Sequence, residues 1–147
     1  MTPPTEETLS DRLRRLGYFD AAGNLRSELV ARDSMAPLAE DMSKATPPLT
    51  MHQLRRFFQH CRGIEARLRA RTSSWETERT LRFATLDRAA ADALGKSPPK
   101  IPSMFHDFIQ HNVAAVHTEK DFLEGFLPHF EALVGFGSQF FKEKERS

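Results

Sequence analysis

The sequence has a single cysteine and no long apolar run. Cys61 has no second cysteine with which to pair, so an intramolecular disulfide is excluded, and a lone thiol fits a reducing compartment. A membrane span needs about 20 consecutive apolar residues. The N-terminal residues 1–8 lack the basic and apolar regions of a signal peptide. The chain is therefore expected to be cytoplasmic, without a membrane partner.

Glycine and runs of β-branched residues are also scarce. Only 7 of the 147 residues are glycine, and apolar residues recur at spacings of three and four, which is typical of helices. The hydrophobic fraction of 39%, which includes 12 Phe, is enough for the core of one domain. The sequence predicts an all-α fold, a compact single-domain bundle of about five to six helices over 1–147, with flexible tails at 1–8 and 143–147.

Caps and helix breakers delimit the expected helices. Thr50 with Gln53, and Ser73 with Glu76, are spaced as capping boxes for the third and fourth helices. Pro128 falls inside the last helix, where it is expected to cause a kink or a break. The predicted helices occupy about 9–16, 26–44, 51–70, from the Ser73 cap to Gly95, 104–116 and 119–142.

Positive charge is concentrated in the middle of the chain. Residues 51–88 carry 9 basic and 4 acidic side chains, whereas 1–50 and 89–147 each carry 6 basic and 8 acidic ones. The middle segment therefore has a net charge of +5, although the whole chain has only +1. A basic helix is most often a solvated face, so charge alone does not establish a nucleic-acid partner.

Three arginines of the third predicted helix are spaced to form a row. Arg55, Arg62 and Arg69 are seven residues apart, which corresponds to a drift of only about 20° per step along the helix. The apolar residues of this helix centre about 100° away, so the row borders the buried face. A planar guanidinium can donate two parallel hydrogen bonds to a phosphate, and a row of them favours backbone contact. Arg56 lies on another face and is a further candidate.

No catalytic or metal-binding pattern emerges. The six histidines show neither the HExxH spacing nor the paired Cys and His spacing of zinc sites, and most are expected at the surface or at helix ends. His60 adjoins Cys61, but adjacent helical residues point in different directions, and Cys61 is expected in the core. No catalytic residue, metal site or cofactor is predicted, and the chain is expected not to be an enzyme.

Two segments resemble a known family. The segment LTMHQLRRFF at 49–58 is similar to the family's LTxxQLRxF helix start, and KDFL at 120–123 with FEALV at 130–134 is similar to its final helix. Both resemble the small subunit of the type III-A CRISPR-Cas interference (Csm) complex. With the lead-in at 19–26, the resemblance covers most of the chain.

The resemblance implies a place in a larger assembly. Such a subunit is a helical bundle present in several copies, which stack as a central filament beside the backbone subunits. It would contact the guide RNA and the target RNA, together with the backbone and large subunits of the complex and copies of itself. Such subunits do not cleave RNA.

The resemblance also selects residues. Arg55 falls on a basic position of the helix that faces the nucleic acid, and Lys120 on the basic residue at the start of the last helix. The fourth helix departs from the family pattern, and Arg82 and Arg88 are further candidates there. The alternative is a helical protein-interaction adaptor, or the small subunit of a related type III-B complex.

Overall fold

The computed structural model describes residues 7–143, and this part of the chain is all-α, as predicted. Within it no β-strand forms, and the only β-type pairing is an isolated bridge between Phe19 and Leu25. No helix of the described part is long and apolar enough to cross a membrane. The helices are α1 Leu9–Leu16, α2 Arg32–Lys44, α3 Met51–Arg69, α4 Trp75–Glu78, α5 Ala84–Gly95, α6 Ser103–Ala115 and α7 Leu127–Gly137.

Most of the predicted flexible tails, 1–6 and 144–147, lies outside the described residues. The described residues of those tails make defined contacts. Thr8 forms a capping box with Asp11 at the start of α1, and the Glu7 carboxylate accepts two hydrogen bonds of 2.7 Å from Arg15. Glu143, at the other end, pairs with Arg55.

The predicted start of the second helix at residue 26 is wrong. Residues 27–29 form a 3-10 turn. Ala31 has an extended backbone, with a ψ angle of 148°, so that α2 begins only at Arg32. The reason lies in the core. Leu29 and Met35 are both buried, but a spacing of six residues places two side chains about 120° apart on a continuous helix. The interruption lets both side chains reach the core.

The capping box predicted for the fourth helix is also wrong. The N-cap is Ser74, whose hydroxyl accepts a hydrogen bond of 3.2 Å from the Thr77 N–H. Ser73 instead donates to the carboxylate of Glu78 at 2.7 Å. A π-helical segment, Arg79–Phe83, joins α4 to α5, and this helix ends at Gly95, as predicted.

The last helix runs through Pro128 without a break. Its first turn is capped by Thr118, whose hydroxyl accepts from the Asp121 N–H at 3.0 Å. A π-helical segment, Asp121–Phe126, leads into α7, and the Leu127 N–H bonds to the Phe122 carbonyl five residues back. The π-helical turn comes directly before Pro128, which stands in the first turn of α7, where a helix tolerates a residue without an N–H.

The predicted end of that helix at residue 142 is wrong, because α7 stops at Gly137. The chain then folds back, and the ring of Phe141 lies against the glycine. A Cβ atom at position 137 would lie 2.1 Å from a ring carbon of Phe141. The absence of a side chain at Gly137 therefore permits the C-terminal segment to return across the bundle.

An aromatic cluster fixes the position of α3. The ring centroid of Phe130 lies 5.3 to 6.4 Å from those of Phe58, Phe105, Phe108 and Phe126. Such tilted and edge-to-face pairs stabilise a core beyond their burial of apolar area. Because these residues come from α3, α6 and the last helix, the cluster holds α3 with one face inward and both flanks outward.

One histidine departs from the expectation of surface or helix-end positions. His129, on α7, is only 2% exposed, and its Nδ1 lies 2.6 Å from the carbonyl oxygen of Leu29. Because a carbonyl only accepts hydrogen bonds, Nδ1 carries the proton. Burial lowers the pKa of His129 to about 4, although the bond to Leu29 raises it. This histidine is a neutral core residue that ties α7 to the 3-10 turn.

Candidate nucleic-acid interface

The arginine row forms as the spacing predicts. The long helix α3 starts from the predicted capping box, in which the Thr50 hydroxyl accepts from the Gln53 N–H at 3.2 Å. The side chains of Arg55, Arg62 and Arg69 are 55%, 50% and 59% exposed. They line one flank of α3, next to the buried face, and we call these three residues the arginine row.

Each arginine of the row has a carboxylate neighbour. Glu65 lies between two of them, 2.9 Å from Arg62 and 2.9 Å from Arg69, and Glu143 lies 3.0 Å from Arg55. Exposed ion pairs of this kind contribute about 0 to 1 kcal/mol. The arginines can therefore exchange these carboxylates for another anion, such as a phosphate, at little cost.

The partner of Arg55 comes from the end of the described chain. The N–H groups of Met51 and His52, in the first turn of α3, donate to the carbonyls of Lys142 and Glu143 at 2.7 and 3.0 Å. These bonds fix the C-terminal segment beside the start of α3 and place the Glu143 carboxylate at Arg55. This contact was not predicted from the sequence, because no local sequence pattern links two residues that are 88 positions apart.

The predicted residue Arg56 lies on the opposite flank of α3, in a groove between α3 and α5. This groove, which we call the α3–α5 groove, has a volume of about 620 Å³. Its walls carry Arg56, Lys96 and Lys100 together with one carboxylate, Asp92. Arg56 thus lies apart from the row, beside Lys96 and Lys100. Neither lysine was among the RNA-binding residues predicted from the sequence.

Arg82 is held by a buried carboxylate. The side chain of Glu78 is fully buried and accepts hydrogen bonds from Arg82, from Arg67 at 2.8 Å and from Ser73 at 2.7 Å. Burial raises the pKa of Glu78, but the hydrogen bonds and the two positive charges more than offset it, so that this pKa lies below its ordinary value. Glu78 of α4 therefore holds Arg67 of α3 and Arg82 of the π-helical segment together, and Arg82 is less available to a ligand than the row.

The last two predicted residues lie apart from the row. Lys120 precedes the second π-helical segment, and its Nζ lies 4.7 Å from the ring centroid of Phe19, which is cation–π geometry. Arg88 is exposed on α5 and has no carboxylate within 4 Å among residues 7–143. The predicted residues thus divide between two flanks of α3 and more distant positions.

The remaining sequence candidates for chemistry have structural roles. Cys61 is fully buried, as predicted, and burial raises the pKa of its thiol. His60 lies 2.7 Å from the carbonyl oxygen of Arg82 through Nε2. In the described part of the chain, no group of three His, Cys, Asp or Glu side chains is placed to hold a metal ion.

Comparison with known proteins gives one match. No curated protein and no solved structure matches the chain significantly. The model of the family described as Csm2 Type III-A matches residues 30–143, a range that includes α2 to α7, the arginine row and the α3–α5 groove. The match confirms the resemblance seen in the sequence: the chain belongs to the Csm2 family, the small subunit of the type III-A CRISPR-Cas Csm complex.

Proposed function

We propose that the arginine row binds the phosphate backbone of RNA within the type III-A complex, and that the chain is non-catalytic. The observation that carries this proposal is the exposure of all three arginine side chains, between 50% and 59%, on one flank of a single helix. Because these arginines are at least half exposed, their ion pairs with Glu65 and Glu143 are weak, and the carboxylates can be exchanged for phosphates. Seven residues of helix correspond to about 10.5 Å, so the row can contact several phosphates of one strand.

The surface favours contact with the backbone over recognition of bases. Proteins that hold single-stranded nucleic acids by their bases stack them on accessible aromatic rings. Among residues 7–143, every Phe, Tyr and Trp is buried or half-buried, and the exposed large apolar residues are Leu16 and Leu81. Phosphate contacts fix position without reading sequence. In this proposal the guide RNA supplies sequence specificity, through pairing with the target RNA.

The proposed partners follow from membership of the complex. They are the guide RNA, the target RNA, the backbone and large subunits, and further copies of this chain in an inner filament. This assembly would place the protein in the cytoplasm. A row of three arginines on one small domain also suggests that the isolated chain binds RNA weakly and that repeated copies add up their contacts.

A triple charge reversal tests the proposal. We expect R55E/R62E/R69E to abolish RNA binding in a filter-binding titration. Each lost phosphate contact should also flatten the dependence of log K on log salt by about 0.7 to 0.9. The matched control is R14E/R15E/R32E, which makes the same change of charge at exposed positions of α1 and α2. If a folded row variant bound RNA as tightly as this control, the proposal would be wrong.

A protein-interaction adaptor is the second candidate function. It is favoured by the fact that the row already binds carboxylates, those of Glu65 and Glu143. In that case the same arginines would bind an acidic surface of a neighbouring subunit. Co-purification of R55E/R62E/R69E with the other subunits separates the two functions. Loss of the partner subunits with unchanged RNA binding favours the adaptor.

A further inference from the structure

The α3–α5 groove has cations that the structure does not neutralise. Arg56 and Lys100 have no carboxylate within 4 Å among residues 7–143. Lys96 is partly compensated, because its Nζ lies 3.4 Å from Asp92. With three cations and one carboxylate, the walls carry a net charge of +2. This differs from the arginine row, in which every cation has a described carboxylate partner.

One end of the groove is fixed by backbone contacts to both walls. The N–H of Lys100 donates to the carbonyl of Ala93 on α5 at 2.9 Å. The carbonyl of Lys100 accepts a hydrogen bond from the Gln53 side chain on α3. The chain at Lys100 is therefore held to α3 and α5 together. A site whose end is fixed in this way needs little rearrangement when a ligand binds.

The lining of the groove is apolar below the charged rim. Leu86 and Ile101 are buried, Phe57 is half-buried, and Ala89 and Ala93 contribute small side chains. The ring of Phe57 is held by an edge-to-face contact with Phe105, with centroids 5.1 Å apart. A ligand that fits this lining needs an apolar or planar part as well as an anionic part.

A hydrogen-bonding group also lines the groove. His60 Nε2 lies 2.7 Å from the carbonyl oxygen of Arg82. Because a carbonyl only accepts, Nε2 carries the proton in the neutral ring. Nδ1 of His60 is then an acceptor on a residue of the groove wall. An acceptor nitrogen of this kind can accept a hydrogen bond from the exocyclic amine of a nucleobase, whereas a second phosphate has no donor to offer it.

We propose that the α3–α5 groove binds one nucleotide. Its phosphate pairs with Arg56 and Lys100, and its sugar and base cover the apolar lining. The volume of about 620 Å³ falls in the range of roughly 300 to 1,000 Å³ that is typical of small-molecule sites. The charge of the rim selects an anion, and the lining disfavours a bare phosphate. The site goes beyond the proposed function, since it lies on the flank of α3 opposite the row.

The nucleotide can come from two sources, a free nucleoside phosphate or one unstacked nucleotide of a bound RNA strand. The probes are 5′-AMP, adenosine and inorganic phosphate, titrated into the full chain by calorimetry. We expect AMP to bind at least about tenfold more tightly than either fragment, because each fragment loses one half of the site. Equal binding of AMP and inorganic phosphate would overturn the proposal.

Two alanines of α5 provide a matched pair of variants. Ala89 lines the groove, whereas Ala91, which is also exposed, does not. We expect A89W to fill the groove and weaken AMP binding at least about tenfold, while A91W binds AMP like the wild type. Circular dichroism confirms that both variants fold. If A89W and A91W bound AMP equally well, the groove would not be the site.

A charge test uses R56E/K100E against R14E/R32E, which has the same change of charge on α1 and α2. The groove variant should lose AMP binding and the control should keep it. R55E/R62E/R69E should bind AMP normally, so the failure of the RNA-backbone proposal and the failure of this one are distinguishable. Loss of a co-purifying subunit in R56E/K100E with unchanged AMP binding would show a protein contact instead and overturn the proposal.

Competition distinguishes the two sources of the nucleotide. If the groove takes a nucleotide of an RNA strand, AMP should compete with a short RNA, and A89W should weaken RNA binding while A91W does not. If it takes a free nucleotide, AMP should bind equally well with and without RNA. Both results require the AMP site and support it.

Discussion

Two glutamates of this protein each lie between two arginines, yet the two clusters differ. Glu65 binds Arg62 and Arg69 of its own helix, three and four residues away. Glu78 binds Arg82 one turn away and also Arg67, which belongs to α3. Both clusters contain a Glu and an Arg four residues apart, so the local sequence does not separate them. Only the second joins different parts of the fold.

Burial of the carboxylate decides what each cluster does. The Glu78 side chain is fully buried, whereas that of Glu65 is 16% exposed and its arginines are at least half exposed. A buried carboxylate needs its cations, since a lone buried charge is costly. An exposed pair contributes little. The arginines around Glu78 are therefore structural, and those around Glu65 are available to a ligand.

Neutralising each glutamate tests this comparison most directly. We expect E78Q to lower the free energy of unfolding by about 3 kcal/mol, because the buried side chain loses its charge-assisted hydrogen bonds to two arginines. E65Q is the matched control and should change it by at most about 1 kcal/mol. Urea denaturation at pH 7 measures both changes. If E78Q and E65Q lost the same free energy of unfolding, the conclusion that Glu78 stabilises the fold and Glu65 does not would be wrong.

Acid provides a second test that separates buried from exposed groups. His129 has a pKa of about 4 in the folded protein, against about 6.5 when unfolded. Protonation therefore favours the unfolded chain, and the stabilisation present above pH 6.5 is lost as the pH falls towards 4. From pH 7.5 to 4.5 this loss is about 2 to 3 kcal/mol.

The measurement for this prediction is urea denaturation across the pH range. The variant H129Q removes the titrating group, so it should show a smaller fall in stability between pH 7.5 and 4.5 than the wild type. H52Q, which removes an exposed histidine, is the control and should show the same fall as the wild type. If H129Q and H52Q lost stability in parallel, the acid sensitivity would come from other groups.

Local signals explain what the sequence predicted well. The capping box of Thr50 and Gln53, the bounds of α1 and the end of α5 at Gly95 all depend on residues close to each other in the sequence. The arginine row was predictable for the same reason, because it follows from helical spacing alone. All of these lie on single elements and need no knowledge of packing.

Tertiary packing explains the failures. The break before α2 follows from the need to bury both Leu29 and Met35. The end of α7 follows from the contact of Phe141 with Gly137, where the C-terminal segment turns back. The groove around Arg56 depends on the packing of α3 against the chain from α5 to Ile101. Each of these needs a neighbour that is distant in sequence or in the fold, and no local pattern indicates it.

The smallest expected effect concerns the carboxylate at Arg55. If RNA phosphates replace Glu143, its neutralisation removes a competitor. E143Q should then strengthen RNA binding by about two- to fivefold, which corresponds to an exposed ion pair of up to about 1 kcal/mol. E131Q makes the same change of charge at an exposed residue of α7 that has no ion pair among residues 7–143, so it measures the effect of net charge alone. Filter binding at low salt gives both affinities. An equal gain in the two variants would mean that Arg55 does not exchange its carboxylate for RNA, and the arginine row would then reduce to Arg62 and Arg69.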